Sequence, residues 1–178
     1  MIRPMSEPPP EHIRQAKPVV LRFEDDGDIP NNNLPLLYYP QVIDPAIVSA
    51  SLIERLFENN GWPDSWRNGV FPFPHYHSNA HEVLGCYRGQ ADVRLGGAGG
   101  RVQQVQPGDV VILPAGVGHE NLGKSGDFAV VGSYPHGQSP DLCRGGERPP
   151  DVLRAISAVP SPMTDPVFGK AGGLLAHW

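Results

Sequence analysis

Seven histidines occur in this 178-residue chain, and three of them fall between His75 and His81. His75 and His77 are two apart. On a strand, residues i and i+2 project from one face with Cα atoms about 6.6 Å apart, so both imidazoles can converge on one ion. Glu82 follows Ser78-Asn79-Ala80, which reads as a turn, and the next strand can return it beside the two histidines. His119 arrives after Pro114-Ala115-Gly116-Val117-Gly118, a tight glycine-rich turn. Three imidazoles and one carboxylate make a mixed N/O donor set. Such a set suits Fe(II), Mn, Ni, Cu or Zn better than Mg or Ca.

Other chemistries are not signalled. Ser133 and Ser139 lack the Gly-x-Ser-x-Gly setting of a hydrolase nucleophile. Gly96-Gly97-Ala98-Gly99-Gly100 has no Lys-Ser/Thr ending and no long helix after it, so it is a hairpin loop and not a phosphate loop. Neither a dinucleotide fingerprint nor a DNA-binding helix-turn-helix is evident. Lys+Arg number 14 against 19 Asp+Glu, for a net charge of −5. A mildly acidic chain with no basic cluster is a poor binder of nucleic acid or anionic membranes. Cys86 and Cys143 form no Cys-x-x-Cys pair, which fits a reducing compartment. No apolar run approaches the ~20 residues needed to span a bilayer. The segment 1–10 is polar and proline-rich, unlike a signal peptide. These observations lead us to expect a cytoplasmic protein.

The elements that must position the donors are mostly short strands. Gly and Pro, at 21 each, make up about a quarter of the chain and favour many turns over long helices. Residues 1–17 read as a flexible tail, because Pro4, Pro8, Pro9 and Pro10 continue neither a helix nor a ladder. Strands are expected at 19–23, 36–39, 82–88, 91–95, 101–106, 110–113 and 128–134. Asp44 as N-cap and Pro45 at the first helical position predict a helix, with Val48, Leu52, Ile53, Leu56 and Phe57 on its apolar face and Gly61 as its stop. A second, short helix is expected at 152–158. Trp62 and Trp66 read as packing residues of the segment before the strands. Consecutive strands with no helix between them point to an antiparallel sandwich or barrel. The organisation expected is one domain over 18–178. Its barrel core spans about 68–135, with an added N-terminal strand/helix segment and an irregular C-terminal extension.

Here the sequence resembles a family. Gly69-x5-His75-x-His77-x4-Glu82-x6-Gly89 is similar to the first cupin motif at every fixed position, and Gly108-x5-Pro114-x-Gly116-x2-His119 resembles the second. The second motif usually ends in Asn four residues after its histidine. That position is Gly123 here, and Asn121 stands two residues earlier. His75–Gly85, 134–138 and 165–169 further resemble a subgroup of uncharacterised bacterial single-domain, metal-binding cupins.

The resemblance implies a mainly β fold, a jelly-roll-like double-stranded β-helix of two facing sheets. It implies one divalent transition metal (Fe, Zn, Ni or Mn) held inside by His75, His77, Glu82 and His119. His81 competes with Glu82, because the family's gap can be three residues as well as four, although six residues from Glu82 to Gly89 favour Glu82. With Glu82 inward, period 2 sends Leu84 and Cys86 inward as well and His81 outward, to a rim or the surface. Cys86 is then a buried, inert thiol, and Tyr76 a packing residue facing away from the ligands. Arg94 and Gln104 are candidates for holding an anionic or polar substrate if their strands line the barrel; otherwise they lie on its solvated outer face. His12, His136 and His177 are expected at the surface. The implied function is a metal-dependent enzyme of oxygenase or isomerase type acting on a small molecule, with a non-catalytic ligand-binding or sensor barrel as the alternative. A homodimer is implied too, for which the strand at 19–23 offers an edge. Neither nucleic acid nor a membrane is an expected partner.

Overall fold

The computed structural model describes residues 11–178. Eleven strands and three helices follow in the order β1 (Val19–Phe23), β2 (Asn32–Tyr39), α1 (Ala50–Asn59), β3 (Trp66–Asn68), β4 (His75–Tyr76), β5 (Glu82–Arg88), β6 (Ala91–Leu95), β7 (Arg101–Val105), β8 (Val110–Leu113), β9 (His119–Lys124), β10 (Ala129–Ser133), β11 (Cys143–Arg144), α2 (Val152–Ala158) and α3 (Leu174–His177). They form a six-stranded sheet, ordered β1-β2-β8-β5-β10-β3, and a five-stranded sheet, ordered β11-β4-β9-β6-β7. Every pairing is antiparallel. The two sheets face each other as a jelly-roll barrel. No helix among the described residues is long and apolar enough to cross a membrane.

Alternation along the strands decides what each face meets. In β5 and β8, Leu84, Cys86, Val111 and Leu113 point into the barrel and join Val93 and Leu95 of the opposite sheet. Their neighbours Val83 and Ile112 point out, but not to water. They pack against Ile53 and Phe57 of α1 and Tyr39 of β2. The larger sheet is thus covered on both faces, and all four residues of β8 are apolar and buried.

Helix α1 starts later than expected. Asp44 and Pro45 form a separate turn, in which the Val48 N–H donates to the Asp44 carbonyl. Ser49, in an extended conformation, is the cap, and its hydroxyl oxygen accepts the Leu52 N–H at 3.2 Å. Two good caps lie five residues apart, and the packing of Ile53, Leu56 and Phe57 selects the second. The stop is as read, with Gly61 at φ +84°.

The expected flexible tail needs correction. Residues 1–10 lie outside the described residues. Of the remainder, Ile13 is buried and bridges Ile43, and the Arg14 N–H donates to the Val42 carbonyl at 2.8 Å. The apolar side chain of Ile13 joins the core under α1.

The C-terminal extension is irregular, as expected, yet it is tied down. Asp165 is fully buried. Its Oδ1 accepts the Val167 and Phe168 N–H groups at 2.8 and 3.0 Å. Its Oδ2 accepts the Tyr39 hydroxyl at 2.8 Å and the Leu174 N–H at 3.1 Å. The Trp178 indole N–H then donates to the Pro35 carbonyl at 2.9 Å. The extension is therefore clamped to β2.

Candidate metal centre

Strand β4 is only two residues long, but it places His75 directly opposite His119 of β9. His77 follows one residue beyond β4. The Gly116 turn delivers His119, and its Gly116 N–H donates to the His77 carbonyl at 2.7 Å, so the two motifs are bonded to each other. Only glycine suits this turn. Its φ is +87°, and a Cβ there would stand 2.4 Å from the Asn31 carbonyl oxygen.

The ligating atoms of His75, His77 and His119 lie within 4.8 Å of one another. Glu82, at the start of β5, reaches across from the other sheet. Its Oε2 is 3.1 Å from His77 Nε2 and 3.2 Å from His119 Nε2. The far side of each ring is already engaged. Nδ1 of His75 meets the Phe73 carbonyl at 3.0 Å, Nδ1 of His119 meets the Val117 carbonyl at 3.1 Å, and Nδ1 of His77 meets the Asp141 carbonyl. A carbonyl only accepts, so each Nδ1 is the donor, and the neutral ring then turns its Nε2 lone pair to the centre. Three lone pairs and a carboxylate oxygen therefore converge with no protein donor between them. That arrangement fits a cation, and the carbonyls are the outer partners that orient metal-binding imidazoles.

The electrostatics say the same. Burial disfavours charge on His77, yet the Glu82 carboxylate outweighs it and pushes His77 up to about 9. Burial, helped by the neighbouring His119, pushes His75 down to about 3. Burial alone would raise Glu82, but His77 and His119 hold it well below the usual carboxylate range. The centre thus calls for positive charge, which a proton on His77 supplies when no metal does.

His81 does not join the centre, and it is not at the surface either. Its direction is as expected, away from Glu82 and out of the barrel, but the C-terminal extension covers it. It is fully buried, its ring lies 4.7 Å from that of Trp178, and its Nδ1 accepts the Ala115 N–H at 2.9 Å. Burial pushes it down to about 4. Cys86 points inward and is inert as expected, with burial pushing its thiol up to about 12. Cys143 is buried in β11, which pairs with β4. Tyr76 is a buried packing residue whose hydroxyl donates to the Glu147 carbonyl. His12, His136 and His177 are exposed, as expected.

Above the centre opens a cavity of about 460 Å³. Its walls are largely apolar, from Trp66, Val70, Phe71, Leu84 and Phe128, with Asn68, Lys124 and Tyr134 as the polar additions. Arg94 and Gln104 do not contribute. Val93 and Leu95 take the inward positions of β6, so Arg94 faces out and pairs with Glu120 at 2.9 Å. Gln104 is exposed on β7.

Among the cavity residues that the sequence did not reveal, Trp66, Tyr134 and Lys124 carry polar groups that bear on function. Trp66, expected only to pack, forms wall and donates its indole N–H to the Tyr134 hydroxyl oxygen at 2.8 Å. With that oxygen accepting from Trp66, the phenol proton of Tyr134 is free to point elsewhere. Burial and the facing Glu82 carboxylate keep the phenol protonated far above its ordinary range. Tyr134 sits in one of the stretches carrying the family resemblance. For Lys124 no sequence signal existed.

Comparison with known proteins agrees with the fold and the motifs. A family model described as Cupin matches residues 66–138. The uncharacterized protein YjlB of Bacillus subtilis (strain 168) is 42% identical over 159 residues, covering 88% of this chain and 93% of that protein. Among solved structures, acireductone dioxygenase from Bacillus anthracis, with a cadmium ion in its active centre, is 14% identical at a TM-score of 0.41. That match covers 60% of this chain and 82% of the other. A protein with a double-stranded β-helix domain from Klebsiella pneumoniae subsp. pneumoniae MGH 78578 is 15% identical at a TM-score of 0.36, covering 77% and 88%. Its motifs, its two-sheet barrel and its identity to YjlB over most of both chains make this protein a member of the cupin family.

Proposed function

We propose that this cupin holds one divalent transition metal at His75, His77, Glu82 and His119 and converts a small molecule in the cavity beside it. One observation carries the reading. Three imidazole Nε2 atoms and a carboxylate oxygen converge, without donors, beside a largely apolar cavity of about 460 Å³. Cavities of this size and character are typical small-molecule sites. Fe, Zn, Ni and Mn all suit such donors. When bound, the ion would supply Lewis-acid polarisation of a carbonyl or, as iron, activation of dioxygen, which correspond to isomerase and oxygenase chemistry.

The chain's own residues do the rest. The Phe73, Val117 and Asp141 carbonyls keep the three rings aimed. Trp66, Val70 and Phe128 give the space above them apolar walls. Tyr134, its oxygen fixed by Trp66, holds a proton beside Glu82 that it can offer to a bound molecule. A barrel that only binds its ligand would share the donors and the walls, so turnover is what separates the two.

The test is elemental analysis of tag-free protein prepared without chelators, followed by dioxygen-uptake and substrate screens on the loaded form. About one equivalent of a transition metal per chain is expected, falling steeply in His77→Ala. Well under a tenth of an equivalent in the unsubstituted protein would overturn the site. Stable ligand binding without turnover would favour the binding barrel. The homodimer belongs to the same proposal. Strand β1 is an edge strand of the larger sheet and can pair with a second copy. Light scattering would decide it.

A further inference from the structure

We propose that Lys124 anchors an anionic group of the molecule that enters the cavity, which makes that molecule an anion with an apolar body. This rests on the cavity being a ligand site, as above, but not on the identity of the metal or the reaction.

An uninterrupted β9 would alternate, with His119, Asn121 and Gly123 inward and Lys124 outward. Its pairing with β6 is different. Leu95 faces His119 and Val93 faces Asn121, but Asp92 then faces Gly123 and Ala91 faces Lys124. Leu122 has no opposite number. Residues directly opposed on antiparallel strands share a face. Ala91, Val93 and Leu95 are buried, whereas Asp92 is exposed. One extra residue at Leu122 therefore inverts the parity and puts Lys124 on the cavity side of β9, where it belongs to the cavity wall while staying exposed to solvent. Bulges commonly re-aim a side chain next to a site. This one falls where the chain departs from its family's pattern, between Asn121 and Gly123.

Charge supplies the second part. Lys124 is the one Lys or Arg in the cavity wall. Arg14, Arg67, Arg94 and Arg148 each have a carboxylate partner, but among the described residues none pairs with Lys124. The only carboxylate in the wall, Glu82, faces His77 and His119. Lys124 thus adds to a largely apolar wall one cationic side chain that pairs with no carboxylate among the described residues. Lys124 lies five positions along the strand from His119, at most about 17 Å between Cα atoms. A ligand reaching from Lys124 to the donor cluster carries its anionic group well away from the atoms that face the metal donors, with Trp66, Leu84 and Phe128 against its middle.

Two dyes of the same shape test this. 8-Anilinonaphthalene-1-sulfonate carries an anion, and N-phenyl-1-naphthylamine has the same rings without it. Both are titrated by fluorescence at low salt into metal-free and metal-loaded protein. The sulfonate should bind about tenfold tighter than the amine, and added salt should weaken that preference. In Lys124→Met the preference should shrink to about twofold or less, with affinity for the neutral dye unchanged. Lys124→Arg should keep it. Equal affinities in the unsubstituted protein, a preference that survives Lys124→Met, or no binding of either dye would each overturn the assignment. Metal content of the same samples reads the underlying proposal separately. A protein that takes up no metal yet prefers the sulfonate through Lys124 would sink the metal centre and leave the anchor standing.

Discussion

Glu82 and Asp165 are buried carboxylates on opposite faces of the same six-stranded sheet, and they differ in what meets them. Asp165 accepts four hydrogen bonds, from three backbone N–H groups and the Tyr39 hydroxyl. Every lone pair has a donor, and the result is a clamp for the C-terminal extension. Glu82 meets two imidazole Nε2 atoms whose rings already donate from Nδ1 to backbone carbonyls. Those two partners are acceptors like itself unless a proton or a metal intervenes, and beside them it faces the Tyr134 phenol. Burying a charge without donors costs stability, whereas a satisfied buried charge holds a fold together. The first cluster is built to receive something, and the second is complete as it stands.

The largest expected effect is on the complete cluster. Asp165→Ala orphans three N–H groups and a hydroxyl, so stability to denaturant should fall by on the order of 3 kcal/mol or more. Metal content of the folded fraction should not change. A loss under about 1 kcal/mol, within the usual range for surface substitutions and small changes, would break the contrast. His77→Ala should act the other way round. Metal affinity should drop by more than about 100-fold, the upper range for losing even an outer partner of a ligand. The metal-free variant should melt below its parent, because the protonated His77 no longer offsets the buried Glu82 carboxylate. Metal at about 100 times its Kd should stabilise the parent by about 2.7 kcal/mol and leave the variant's melting temperature where it was.

Smaller effects sharpen the comparison. His81→Phe keeps the ring against Trp178 but leaves the Ala115 N–H without its acceptor, at a cost of about 1–2 kcal/mol. Metal stoichiometry should hold, and its loss would return His81 to the ligand set. Tyr134→Phe removes the acceptor for the Trp66 indole, which should cost about 1 kcal/mol in denaturation and leave metal binding intact.

Much of the barrel was legible because its signals are local. Strands 91–95 and 110–113 announce themselves by apolar residues between glycine turns, and the structure has them at those limits. The pair His75 and His77 was legible from its i, i+2 spacing, and the family resemblance supplied His119 and Glu82 as its companions. β3, β9 and β11 were not among the expected strands. They are short or polar, and their ladder partners, not their composition, make them strands.

The sequence by itself determined which side chains converge, since turn glycines and period-2 alternation are properties of adjacent residues. With Glu82 taken as inward, alternation also sent His81 the other way. Only the tertiary structure decided what covers the outward face, burying His81 under Trp178 and drawing Ile13 into the core. It alone chose Ser49 over Asp44 as the helix cap, and it alone placed the bulge at Leu122 that turns Lys124 inward. Coverage, cap choice and register depend on partners far away in the chain, and no local pattern encodes the partner's position.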